Sequence, residues 1–399
     1  MSAALHGSPV QIRQATWATR SLFAALGVVA GAWGVHIPSV KAMYGLTEGS
    51  LSFVLVAAAI GAVSALFIAG RAIGRLGTRN AVAVAGVVMG LMLALSLHWP
   101  SYVPLLLAMV VFGSTMSVYD VGINTEGSAL EAAGGRPIMG GLHGMFSVGA
   151  MVGAGLTALL LRLEVSAPWQ LGGVGLCASG WMVLASRWML PAAPETKESA
   201  DTPQFAWPRG ALLVMGLLIF AGMSAEGVMQ DWCVLYLQQE VHMPQDQAAI
   251  GFAAFAGAMA VMRFIADSLR ARFSERLLLR ASGVVTAVAM TIVLLSGSPV
   301  ISVIGFAVIG AGLAMVVPIL FGAASRVPGT TPAAAIAAVS SIGYSGFMIG
   351  PPLIGGIAQH SSLTMAMWVV VVTASILALS AHYVPEKQPE GEGGKPSLA

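Results

Sequence analysis

Long apolar runs set the pattern of this chain. No Asp, Glu, Lys or Arg occurs from Asn80 to Tyr119, from Ala281 to Ser325, or from Val327 to Pro385. Each run has room for two helices of about 20 residues. Each is broken once by a polar turn: His98-Trp99-Pro100-Ser101, Ser296-Gly297-Ser298-Pro299 and Gln359-His360-Ser361-Ser362. This is the spacing of helical hairpins that cross a bilayer and return. Along the whole chain the pattern predicts spans at 19–40, 49–70, 80–98, 102–130, 138–161 and 167–189. A second set follows at 210–236, 247–268, 277–296, 299–323, 333–359 and 363–383. The predicted fold is an all-α membrane protein of twelve transmembrane helices.

Composition agrees and excludes a soluble globule. Of 399 residues, 57% are apolar and 9% charged, against about 25% charged in a soluble domain. Forty-eight glycines suit helices that pack closely in lipid. With the amino terminus in the cytoplasm, the 19 Lys and Arg residues divide 17 to 2, only Lys41 and Arg162 falling outside. That bias places both termini in the cytoplasm, and Arg263 is among the residues it assigns to the inside. The polar stretch 191–209 reads as a cytoplasmic linker between halves 1–190 and 210–385, and 386–399 as a disordered cytoplasmic tail. The first twenty residues hold no cleavable signal pattern. Cys177 and Cys233 both fall in apolar segments and suggest no disulfide.

The two halves repeat. An offset of 197 residues brings Arg75 and Arg79 onto Arg272 and Arg276, and Gly86-Val87-Val88 onto Gly283-Val284-Val285. It also superposes Gly113 on Gly310, Gly149 on Gly346 and Gly153 on Gly350. With six spans each, the halves run in the same direction, a parallel repeat.

Over nearly its whole length the sequence resembles the major facilitator superfamily. Gly70-Arg71-Ala72-Ile73-Gly74-Arg75-Leu76-Gly77-Thr78-Arg79 is similar to the family's loop between spans two and three, with Gly74 in place of the usual acidic residue. Arg272-Phe273-Ser274-Glu275-Arg276 is the related loop of the second half, where Ala271 replaces the acidic residue and Asp267 is a candidate substitute. The resemblance therefore marks Arg71, Arg75, Arg79, Asp267, Arg272 and Arg276 as conformational-loop residues. Asp120-Val121-Gly122-Ile123-Asn124 resembles the span-four motif of fucose-permease-like sugar–proton symporters. His143 to Gly149, and Ala225-Glu226-Gly227 with Asp231-Trp232, resemble a bacterial branch grouped with rhizopine permeases. The implied location is the bacterial inner membrane, and the implied oligomeric state is a monomer. Gly346 to Gly356 resembles the Gly-Pro motif of drug–proton antiporters but lies in span eleven rather than five, which reads as a bent packing helix.

An ionised group at mid-bilayer is costly, so the ionisable residues inside spans mark the candidate chemistry. Asp120, Glu226 and His143 are the proton-coupling candidates, Asp120 leading, because a carboxyl that alternates between dry and wet surroundings can load and release a proton. Trp33, Tyr119, Asn124, His143, Gln230 and Trp232 are candidates for solute binding, through flat faces or amide and imidazole hydrogen bonds. His36 with Glu226 or Asp231 would form a periplasmic gate. Competing readings stand beside these: Asp120 as a structural hydrogen-bond partner, His143 as a helix-end group, and Asp231 as an interfacial carboxylate. Glu126 and Glu131 read as solvated, and the cluster Arg263 to Arg280 as a topology signal.

The expected function is proton-coupled symport of a small polar solute, sugar-like or cyclitol-like, by alternating access. A proton-coupled exporter of metabolites or drugs is the competitor within transport, and a transporter-like solute sensor the competitor outside it. The expected partners are the solute, protons and the bilayer, with no nucleic acid, cofactor or metal. No Gly-Lys-Ser/Thr phosphate loop, His-Glu-x-x-His or cysteine pair suggests an enzyme.

Overall fold

The computed structural model describes residues 8–190 and 209–385, and all regular structure among them is helical. The first half holds α1 (Pro9–Met43), α2 (Glu48–Leu76), α3 (Thr78–Leu95), α4 (Tyr102–Gly134), α5 (Met139–Arg162) and α6 (Ala167–Ser186). The second holds α7 (Ala211–Gln239), α8 (Gln245–Arg272), α9 (Glu275–Ser296), α10 (Pro299–Leu313), α11 (Val316–Ala324), α12 (Pro332–His360) and α13 (Leu363–Ser380). Helices α10 and α11 form one span. It breaks at Ala314-Met315 because Pro318 has no N–H for the Ala314 carbonyl and its ring crowds that carbonyl. The expected linker and tail lie outside the described residues, Arg209 excepted.

Among the described residues, eleven spans are long and apolar enough to cross a bilayer. The twelfth, α6, carries Trp169, Gln170 and four glycines that lower its hydropathy, yet it packs in the bundle against α3 and α1. Helix α1 starts ten residues before the predicted position. Ser8 and Gln11 close a reciprocal cap there and Pro9 opens the first turn, so a polar stretch begins as helix.

The same packing recurs in each half. Helix α1 packs on α5, α2 on α4 and α3 on α6; α7 packs on α12, α8 on α10 and α9 on α13. The 197-residue offset holds at atomic detail. A Cβ on Gly113 would run into the Ala58 carbonyl, and one on Gly310 into the Phe255 carbonyl; Ala58 and Phe255 are themselves 197 residues apart. Arg79 Nε donates to the Met189 carbonyl at 2.7 Å, and Arg276 Nε to the Val384 carbonyl at 2.7 Å. In each half an arginine in the first turn of the third span thus ties down the end of the sixth. Gly113→Val and Gly310→Val are each expected to cost ~1–3 kcal/mol by overpacking, read as a lowered unfolding midpoint of the purified protein in detergent. An unchanged midpoint for either would show that the close approach is not needed.

The loop residues behave differently from one another. Arg71, Arg75, Arg272 and Asp267 are exposed. Among the described residues Asp267 forms no ion pair, whereas Glu275 pairs with Arg270 at 3.0 Å and with Arg326. Glu126 is buried rather than solvated, and its carboxylate accepts from the Leu190 N–H at 2.6 Å. Glu131 accepts from the Ile138 and Met139 N–H groups at 2.6 and 2.9 Å, capping α5. These groups share the face that holds both ends of the described chain, called here the terminal face. Across the halves, α5 meets α8, α2 meets α12, and α1 meets α7.

Candidate functional site

One polar constellation is carried by α4, and a second by α5, α7 and α8. Asp120 is half-buried, and its carboxylate accepts from Asn124 Nδ2 at 3.0 Å, one turn along the same face. The same amide donates to the Asp120 carbonyl at 2.9 Å. Among the described residues no cation pairs with Asp120. Tyr344 of α12 lies within electrostatic reach of it, although α4 makes no extensive contact with any helix of the second half. The carboxylate and the phenol therefore stand on opposite halves.

The second constellation joins three helices. Glu226, at the middle of α7, pairs with Arg263 of α8 at 3.2 Å, and both side chains are little exposed (11% and 13%). Arg263 also donates to Ser147 Oγ of α5 at 2.7 Å, so one guanidinium bridges the two halves. Gln230 Nε2 donates to the same Glu226 oxygen at 3.1 Å. His143 lies one turn before Ser147, within the field of Arg263. Its ring edge meets buried Phe23 at 5.4 Å, but the residue is exposed, so it opens onto free space beside the pair. Sequence reasoning misses Arg263, whose position beside a basic loop gives it the look of a topology signal.

The expected gate is built otherwise. His36 meets neither Glu226 nor Asp231. It is fully buried, with Nε2 3.2 Å from Gln170 Oε1 and Nδ1 3.0 Å from Ser39 Oγ. Gln245 Nε2 of α8 donates to Ser39 Oγ at 2.9 Å and to the Val35 carbonyl at 2.8 Å. Gln170 Nε2 donates to Val165 O, so Gln170 Oε1 accepts from His36 Nε2–H and Ser39 donates to Nδ1. A neutral imidazole satisfies this chain in full. It links the halves at the face opposite the termini. An open depression of about 530 Å³ lies over it, with Ser39 and Gln245 in its wall.

The aromatic candidates are packed. Tyr119 is fully buried, and its hydroxyl donates to the Leu22 carbonyl at 3.1 Å. Trp232 is fully buried too, and Trp33 stacks at a tilt on Phe112 with centroids 5.8 Å apart. None of these three offers a free face in this conformation; burial in a helix interface competes with solute stacking for the same ring. Asp231 is half-buried in a crevice between α7 and α12, beside Gly227 and Phe347, too narrow to admit water.

A sequence profile of the Major Facilitator Superfamily matches residues 22–331 and 215–398. The chain belongs to the major facilitator superfamily. This facilitator is 33% identical over 386 residues to an uncharacterized MFS-type transporter of Yersinia pestis, covering 96% of this chain and all of the relative. It is 28% identical over 359 residues to membrane protein MosC of Rhizobium meliloti, covering 90% of this chain and 87% of that one. Among solved structures, the nucleoside transporter NupG aligns with a TM-score of 0.74 at 14% identity, covering 94% of this chain and 99% of NupG. At that identity the likeness shows the fold alone. Family and fold point to a multi-pass membrane transporter of small solutes rather than to an enzyme.

Proposed function

We propose that this facilitator is a secondary transporter that couples proton influx to uptake of a small polar solute, sugar-like or cyclitol-like, by rocking its two six-helix halves around a central site. The single observation that carries the reading is Asp120: an intramembrane carboxylate with one amide partner and, among the described residues, no counter-cation, within electrostatic reach of Tyr344 on the other half. Such a group is stable in the membrane when protonated and solvated when ionised, so its charge can be tied to which side the site faces. Asn124 and His143 supply the solute with donors and acceptors; Glu226 is a second proton site. The basic bias supports placing the terminal face in the cytoplasm of a bacterial inner membrane, and the protein acts as a monomer. The His36–Ser39–Gln245 chain is then the periplasmic closure, made without Glu226 or Asp231.

The test is external pH in lightly buffered proteoliposomes of the purified protein, on adding sugars, cyclitols or amines in turn. Symport gives solute-dependent alkalinisation that Asp120→Asn abolishes. Acidification would instead show antiport and export, and alkalinisation that survives in the variant would remove Asp120 from the coupling path.

A further inference from the structure

We infer that Arg263 is an anion-binding, specificity-determining residue: the solute carries a carboxylate that takes the place of Glu226 on the Arg263 guanidinium. The inference rests on the transporter reading above and narrows its substrate to a polar monoanion.

Arg263 lies within α8, nine residues before its end, and its guanidinium is one of the few charged groups in the bundle interior. A fixed cation at this depth is costly unless something needs it. Its planar fork is suited to a carboxylate, yet only one arm engages Glu226, by a single bond, while the other takes the neutral Ser147. Gln230 draws on the same Glu226 oxygen. The pair is thus a one-point contact where a two-point contact is chemically available, and exposed His143 shows that open space adjoins it. Arg263 also touches both halves, so a ligand on it is felt by both.

The exchange balances. In the empty protein the Arg263 cation is matched by the Glu226 anion. When a solute carboxylate takes Arg263, one proton enters with it from the medium and neutralises the displaced Glu226 carboxylate. One anion and one proton then move together with no net charge. The groups able to disturb this exchange are few. His143 faces Arg263 from α5, Asp267 lies one turn after Arg263 on α8, Asp231 lies five residues after Glu226 on α7, and Tyr344 of α12 lies near Asp120. His36 of α1 is bonded at the opposite face, Arg20 lies over Trp17, and α10, α11 and α13 carry no ionisable side chain.

The experiment is thermal stabilisation of the purified full chain in detergent by a panel of hydroxy, keto and sugar monocarboxylates, each beside its uncharged alcohol or amide counterpart. One or more carboxylates should stabilise the wild type where the counterpart does not. Glu226→Gln, which removes the internal competitor, should tighten that binding roughly tenfold, the effect of one charge-assisted bond. Arg263→Gln should abolish it, and Arg263→Lys should keep part of it. Because the key result is a gain, misfolding cannot imitate it. Equal responses to carboxylates and counterparts, unchanged affinity in Glu226→Gln, or no carboxylate response in either protein would each overturn the inference. Proton movement with an uncharged solute, lost in Asp120→Asn and kept in Arg263→Gln, would also overturn it while leaving the coupling reading in place.

Discussion

Arg263→Ala is expected to lower the stability of the purified protein by about 3–5 kcal/mol, because it strands the Glu226 carboxylate in the bundle without its cation. The loss is larger than that for Ser147→Ala, which removes one hydrogen bond and leaves the ion pair intact. The informative comparison is the double variant Arg263→Ala/Glu226→Ala. With both charges gone nothing is stranded, and most of the lost stability should return, apart from the cavity left by two side chains. A double-mutant cycle on unfolding in detergent measures this coupling. If the two single losses simply add, the 3.2 Å pair is not energetically coupled, and the description of Arg263 as the balanced cation of the interior fails.

Gly355→Trp is expected to abolish transport while the protein remains folded. Gly355 of α12 sits where a Cβ would lie 2.5 Å from Ser52 Cβ and 2.8 Å from the Glu48 carbonyl of α2. The neighbouring Gly49 of α2 faces Gln359 of α12 in the same way. These contacts join the halves at the face opposite the termini, so an indole there cannot be accommodated when that face is shut. Opening the halves relieves the clash, which predicts a protein held open on that side rather than an unfolded one. Cysteines introduced at Ser39 or Gln245 should then react with a membrane-impermeant thiol reagent several-fold faster than in the wild-type background. Normal transport, or no change in labelling, would show that α2 and α12 do not part during the cycle.

Much of the architecture was legible in the chain because it is written in local pattern. The charge-free runs located the helix pairs, and the 197-residue offset found Gly113 and Gly310, which occupy equivalent close approaches, and Arg79 and Arg276, which make equivalent bonds. The early start of α1 was missed because a capping box overrides low hydropathy. The interior was less legible, since a partner on another helix leaves no mark in sequence spacing. Arg263 looked like one more basic residue near a basic loop. Its place within α8, and the need of Glu226 for a cation, were the available signals. Glu126 reads as a solvated carboxylate in the sequence because its partner, the Leu190 amide, lies 64 residues away. The Asp120–Asn124 pair was readable because both residues share one helical face; the reach to Tyr344 was not.

The closure between the halves at the opposite face has a consequence for how the protein meets its surroundings. Gln245, Ser39, His36 and Gln170 hold together through hydrogen bonds between uncharged groups. Debye screening acts on charges and leaves such bonds almost untouched. These bonds should therefore hold equally well in dilute and in salty media, and any salt dependence in the parting of this face falls to the Lys41–Glu48 pair (3.1 Å) beside it.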